Sequence, residues 1–270
     1  MPLTDIGVIS TINFTGTSLD HNFKNGVGNG NSPGAPVNCV SIQENLGYDD
    51  AALGSAVRDL NNKVDLIVTV GGVASAIAAK NNASKPFMSV FGATPEFDGT
   101  VTGNFWGGIN LATIEHNQER LDYLCGKLKI KPQQVCLLTN PDHVHWKGAE
   151  VAKWTGGAVI DARDPPTFGK AFRDFDQDGN LQAMIVSGAP SFQDHKDELK
   201  REANKCDKHV CYPFQIYGEG IVPPKPGHHT LHGPKLATAY YDLGEKVGQA
   251  LASSTPSGIV PARMGDPHPR

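Results

Sequence analysis

The chain has 270 residues, 39% of them hydrophobic and 19% charged, and a net charge of −4. That length allows one large core or two domains of ordinary size. The acidic balance and the lack of a basic run with interleaved aromatics exclude nucleic acid as a partner class, and no apolar run approaches the roughly 20 residues that span a bilayer.

The opening residues MPLTDIGVIS carry no basic region, apolar segment and small-residue cleavage site of a secretory signal. The expected location is therefore periplasmic or otherwise extracytoplasmic if a signal was removed, with cytoplasmic as the alternative. Ile6 to Ile12 reads as a buried first strand, and Asn13 to Pro36, rich in Gly and Asn, as loop with at most a short helix. Pro36–Ser41 gives a second strand and Asp49–Asn62 a helix. VDLIVTV (Val64–Val70) is a continuous β-branched run, as expected of a parallel strand covered on both faces. Gly71-Gly72 turns the chain into the helix VASAIAAKNN, and Pro86–Phe91 is the next strand.

A second alternating series follows the Gly-rich segment VTGNFWGGIN. A helix from Leu111 to Leu128 places Leu111, Ile114, Leu121, Leu124, Cys125 and Leu128 on one face. Gln134–Asn140 is a strand, the region around Lys147–Trp154 a helix, Ala158–Asp161 a short strand and Phe168–Phe175 a helix. Leu181–Ser187 is again a strand, Phe192–Lys205 a helix and HVCYPF a strand. Leu236, Tyr240, Leu243, Val247 and Leu251 make the stripe of a closing helix. Strands alternating with helices at this spacing predict an α/β fold of two Rossmann-like lobes with parallel sheets. The expected division is 1–108 and 109–232, with 233–270 as a terminal helix and tail returning toward the first lobe.

In open α/β sheets, ligands sit beyond the carboxyl ends of the strands. Those ends here read Asn13-Phe14-Thr15, Gly72-Val73-Ala74, Phe91-Gly92-Ala93, Thr139-Asn140 and Ser187-Gly188, with Phe214 after HVCYP. These are small or neutral polar groups with a few aromatics. They suit a small ligand held by backbone N–H groups, amides and hydroxyls, and they present no nucleophile–base pair. The expectation is a binding protein and not an enzyme. An isomerase or racemase would want opposed acid–base groups, and Cys39 and Cys136 lie within strands instead of at their ends.

Three segments invite other chemistry. DFDQDG places Asp174, Asp176, Asp178 and Gly179 like the start of an EF-hand calcium loop, but Ile185 stands where the bidentate Glu should be; a plain Asp-Gly turn is the competing reading. His228, His229 and His232 in PGHHTLHG have a spacing that could chelate a metal, against a solvated loop. Asp142, His143 and His145 lack a partner positioned by sequence. Among five cysteines, Cys206 and Cys211 are the only close pair, so a disulfide between them stands beside buried thiols. Phe105-Trp106 and Tyr240-Tyr241 raise self-association if they form an exposed patch.

Four stretches carry a family likeness: VDLIVTVGGVASAIAAKN; VTGNFWGGIN followed by the helix and strand ending in Asn140-Pro141; LQAMIVSGAP through the Tyr212-Pro213-Phe214 turn; and HGPKLATAYYDLGEKVGQAL. In this order, over residues 64–252, the chain resembles the substrate-binding proteins of ABC transporters, a branch of the type I periplasmic-binding-protein fold. The chain departs from the pattern in the absent signal, in the Pro/His-rich segment before the last helix, and in Gly-rich residues 24–34, where a helix is usual. The resemblance implies two lobes joined by hinge crossings, closing on a small solute, and an ABC permease as partner if the protein is exported. A relative of the fold used for sensing or self-assembly is the alternative. Closure would bring Asn13, Thr15, Gly72, Val73 and Ala93 against Asn140, Ser187 and Phe214. Phe14, Phe91 or Phe214 would then be an apolar wall, and an amino acid or small aromatic or organic acid the preferred ligand. Some sugar-binding members of the fold carry a calcium loop, which keeps calcium open as a bound ion; no other cofactor is expected.

Overall fold

The computed structural model describes residues 4–31, 38–92, 103–218, 228–262 and 268–269. The chain forms two compact units, Met1–Leu111 with Leu236–Ala262, and Ala112–Lys235 with Arg263–Arg270. Each unit holds a mostly parallel sheet with helices packed on it.

In the first unit, β1 (Asp5–Ser10), β2 (Asn38–Gln43), β3 (Leu66–Val70), β4 (Phe87–Phe91), β5 (Phe105–Asn110) and β11 (Gly258–Pro261) lie in the order β11-β5-β4-β3-β1-β2. All pairings in this sheet are parallel. Its strands end on one edge, so their carboxyl-end loops cluster there. The β-branched run of β3 is buried throughout, as a central strand covered on both faces must be.

Sequence reading missed β5, because Gly107-Gly108 looks like a loop. The glycines instead let neighbours approach: a Cβ on Gly107 would lie 2.1 Å from the Gly258 carbonyl, and one on Gly108 1.9 Å from that of Ser89. Both have positive φ, 116° and 147°, which only glycine adopts freely.

The Gly/Asn-rich stretch expected as loop is a 13-residue helix, α1 (Ser18–Gly30). Thr17 caps it by accepting from the Asp20 N–H. Gly26 and Gly30 form its contact surface with α9 (Leu236–Ser253). Cβ atoms on Gly26 and Gly30 would sit 2.1 and 2.0 Å from the Tyr241 and Glu245 carbonyls. Those on Gly244 and Gly248 would meet the Phe23 and Val27 carbonyls at 2.1 and 2.5 Å. Two small-residue ridges thus bring the helix backbones together, and packing overrides the poor helix propensity of glycine. The same sheet carries α2 (Asp50–Leu60), capped by Asp49, and α3 (Val73–Asn82).

In the second unit, β6 (Val135–Thr139), β7 (Val159–Asp161), β8 (Ala183–Val186), β9 (His209–Tyr212), β10 (His229–Leu231) and β12 (His268–Pro269) run β12-β10-β9-β8-β6-β7. Among the described residues only the β10–β12 pairing is antiparallel. The helices are α4 (His116–Leu128), α5 (Val144–Lys153), α6 (Pro165–Gln177), α7 (Pro190–Asp194), α8 (Lys196–Ala203). The single helix expected over Phe192–Lys205 is broken at His195. The core beneath α4 joins Leu121 and Leu124 to Val135, Leu137, Ala183, Ile185 and Cys211.

Candidate binding loops at the strand ends

At the carboxyl edge of the first sheet, Asn13 and Thr15 are exposed while Phe14 between them is buried. Thr11 ties this loop to its neighbour by donating to the Gly71 carbonyl, and Gly71-Gly72 then start α3. Gly72 is the N-cap, with φ 108°, and no side chain caps the helix. Ser75 donates back to the Val70 and Gly72 carbonyls and fixes the turn. The loop after β2 joins from the other side. Asn45, Leu46 and Gly47 donate to the Ile12, Ser10 and Thr11 carbonyls, and the Glu44 carboxylate accepts from the Phe14 and Thr15 N–H groups at 2.8 and 2.6 Å. The N–H of Thr15 is the main reason the Glu44 carboxyl is held below the usual carboxylate range.

The aromatic rings expected to line a wall belong to their own unit's core. Phe14 packs between Phe23 and Tyr240, with centroids at 6.2 and 5.9 Å, and Phe91 lies edge-on to Phe105 at 5.9 Å. Val73 and Ala74 are likewise buried, and Ala93 lies outside the described residues.

At the carboxyl edge of the second sheet, Asn140, Ser187 and Phe214 are all buried. Asn140 accepts from the Asp142 N–H at 2.9 Å and donates to Ser191 at 2.7 Å, so its amide holds the turn before α5. Ser187 accepts from the Trp146 indole at 3.0 Å and from the Ala189 N–H at 3.2 Å.

Behind these loops runs a buried polar network that sequence reading did not find. Arg120, fully buried, donates to the carbonyls of His232 (2.7 Å), Thr113 (3.0 Å) and Pro213 (3.2 Å), and to Asn117 Oδ1 (2.7 Å). Asn117 passes the link on, donating to Glu150 Oε1 at 2.7 Å, and Thr139 donates to the other carboxylate oxygen at 3.1 Å. Burial raises the Glu150 carboxyl, and bonds from Ser187, Asn117 and Thr139 oppose that rise. Burial also lowers the Arg120 guanidinium to about 10, so it stays charged at neutral pH. The network ties the ends of β6, β8, β9 and β10 to α4 and α5. One signal for it stood in the sequence: Asn117 falls on the α4 stripe three residues after Ile114, a polar residue where an apolar one belongs.

The three aspartates of DFDQDG lie on a helix and its end instead of in a loop. Asp174 and Asp176 lie inside α6 and Asp178 is its C-cap. At about 3.6 residues per turn, Asp176 points away from the face shared by Asp174 and Asp178. Each group is otherwise engaged: Asp174 with Lys170, Asp176 with the Asp207 N–H, and Asp178 with the Asn180 N–H. Among the described residues no group of three or more His, Cys, Asp or Glu is placed to hold a metal ion.

The PGHHTLHG segment is not a solvated loop where it is described. His229 and Leu231 are buried in β10, and His232 is buried after it. His143 is buried and stacks on Trp146 at 5.6 Å. Cys206 and Cys211 are free, buried thiols and form no disulfide. Cys136 is fully buried in β6 and its thiol pKa is raised by burial, whereas Cys39 is exposed on the edge strand β2. The aromatic patch considered for self-association is not exposed as a unit, since Phe105 and Tyr240 are core residues. A separate cavity of about 420 Å³ opens at the amino edge of the second sheet, lined by Leu128, Ile130, Gln182, Lys208, His209 and His228.

No family model and no curated protein sequence matches the chain. Solved structures do. An ABC domain in complex with L-Trp from Streptococcus pneumonia aligns with a TM-score of 0.66 at 11% identity, over 94% of this chain and 89% of that one. A carbohydrate-transporter solute-binding protein from Agrobacterium radiobacter, in complex with D-arabinose, aligns at 0.64 and 14% identity, over 98% and 94%. A carbohydrate transporter from Acidothermus cellulolyticus, in complex with myo-inositol, aligns at 0.61 and 13% identity, over 100% and 94%. The two mostly parallel sheets, the chain passing between two units, and these end-to-end matches establish that the chain has the type I periplasmic-binding-protein fold, the fold of ABC-transporter solute-binding proteins.

Proposed function

We propose that the protein is a solute-binding protein of an ABC importer, acting outside the cytoplasm and delivering a small polar solute to a permease. The observation that carries this reading is the carboxyl edge of the first sheet. There the exposed Asn13 and Thr15 stand beside α3, whose first amides have no side-chain cap. Such an edge offers hydrogen bonds and a helix N-terminus to a ligand but no group suited to break a bond in it. The matched structures include a solute-binding protein and complexes with small solutes, which supports binding over catalysis.

Within that reading an amino acid or small organic acid is the first choice, because the positive end of α3 favours a carboxylate. A sugar or polyol is the second, favoured by the exposed neutral amide and hydroxyl of Asn13 and Thr15, and by the D-arabinose and myo-inositol complexes among the matches. Thermal-shift screening followed by calorimetry against amino acids, organic acids, sugars and nucleosides tests both. A binder should lose at least about tenfold in affinity on Asn13→Ala, the cost of one or two hydrogen bonds. A panel without a binder, or a binder indifferent to both Asn13→Ala and Asn140→Ala, would sink the proposal.

A further inference from the structure

We infer that Glu44 sets ligand specificity at the first-unit loops, selecting a solute that presents hydrogen-bond donors, ammonium or hydroxyl, and rejecting one that presents an acid group there. The inference rests on the solute-binding reading above and narrows it.

Successive backbone N–H groups in a loop at a strand end make a ready anion site. At the end of β1 that capacity is already taken, because the Glu44 carboxylate receives the Phe14 and Thr15 N–H groups at 2.8 and 2.6 Å. The protein thus supplies its own anion where a ligand carboxylate or phosphate would otherwise bind. Glu44 is only half-buried, and its loop is tied to the Ser10–Ile12 backbone by three hydrogen bonds, so the charge is held in place.

A carboxylate has about four lone-pair positions, and the N–H groups of Phe14 and Thr15 use two, both on Oε2. What remains at this end of the site is an acceptor and a fixed negative charge, beside the exposed Asn13 amide. That surface attracts O–H and N–H donors and repels a second anion. Across β1, the N-terminus of α3 has the opposite preference. Because β1 lies between β2 and β3 in the sheet, the two preferences sit one strand apart on either side, roughly 10 Å from each other. A zwitterion, or a polyol bonding along its length, satisfies both; a compact dianion does not.

The experiment compares wild type and Glu44→Gln by calorimetry with L-tryptophan and further α-amino acids, D-arabinose, myo-inositol and succinate. Glutamine keeps an acceptor for the Phe14 and Thr15 N–H groups, and far-UV circular dichroism verifies the fold. The ratio of two ligands' affinities in one protein sample does not depend on the folded fraction. Wild type should bind one of the donor-bearing solutes and prefer it to succinate. Glu44→Gln should cut that preference at least about tenfold, and nearer about 100-fold where the donor is a charged ammonium than where it is a hydroxyl, which separates the two sources. A preference unchanged within twofold, or succinate as the tightest wild-type ligand, overturns the inference and leaves the binding function standing. No binding of any solute overturns both.

Discussion

Removing the Arg120 guanidinium is the most informative single perturbation of the second unit. In Arg120→Met the side-chain volume is nearly kept, but four acceptors lose their donor: the carbonyls of Thr113, Pro213 and His232, and Asn117 Oδ1. Each buried acceptor left unpaired costs about 1–3 kcal/mol. Relaxation and water entry hold the total near the about 3–5 kcal/mol typical of breaking a buried charged network from one side. Glu150 loses a favourable charge in the same step. Urea unfolding followed by tryptophan fluorescence reads the effect, because Trp146 bonds to Ser187 in the same network. The double variant Arg120→Met/Glu150→Gln should be less destabilised than the two single effects combined, by about 0.5–3 kcal/mol, since the charges compensate each other. A loss below about 1 kcal/mol in the single variant, or strict additivity in the double, would refute the view that this network holds the strand ends as one piece.

The α1–α9 contact predicts opposite signs from neighbouring glycines. Gly26→Ala forces a methyl to 2.1 Å from the Tyr241 carbonyl and should cost at least about 1–3 kcal/mol in thermal or urea unfolding; Gly28→Ala, with nothing within 4 Å, should stabilise by about 0.5–1 kcal/mol. Burial pushes His209 down to about 3 and His229 to about 4, so both fold as neutral rings while their unfolded forms protonate near pH 6.5. Their depressed values mean full stability above about pH 6.5, with about 2 kcal/mol lost per residue by pH 5; His229→Gln should flatten the pH dependence of unfolding, and an unchanged slope would contradict the burial account. Millimolar calcium or a chelator should leave the melting temperature unmoved, because Asp174 and Asp176 point from different sides of α6; a rise with calcium would show that the helix end rearranges into a loop.

Strands were legible where chemistry and period agreed. β3 and β8 stand out as apolar runs because they are central and covered on both faces. α1 and β5 were not legible, for one shared reason: Gly26, Gly30 and Gly107 each make room for a neighbour more than 100 residues away. Local propensity reads NGVGNG as a turn, yet Gly26 and Gly30 meet Tyr241 and Glu245, and Gly107 meets Gly258. The histidines of PGHHTLHG misled in the same way. Their polarity suggests solvent, while β-pairing between β9 and β10 buries His229 against Tyr212, whose hydroxyl lies 3.3 Å from its Nδ1. Candidate site residues could be placed at strand ends from topology alone. Which of them turn outward could not, and the residues that hold them, Arg120 and Glu150, are known only from their partners.

The two sheets end in loops built on opposite electrostatic plans. At the first sheet the loop amides are satisfied by Glu44, a side chain still within reach of solvent, and Asn13 and Thr15 stay exposed beside an uncapped helix. At the second sheet the polar groups turn inward: Asn140 bonds to Ser191, Ser187 to Trp146, and the backbone carbonyls after β9 and β10 to Arg120. A buried, hydrogen-bonded network resists rearrangement, since breaking one member strands the others. A half-exposed carboxylate with a spare lone pair can exchange a water for a ligand donor at little cost. Selectivity in this protein should therefore be altered first by substitutions at Glu44, Asn13 and Thr15. Substitutions at Arg120, Asn117 and Glu150 should change stability first, and affinity only as far as the second-unit loops lose their shape.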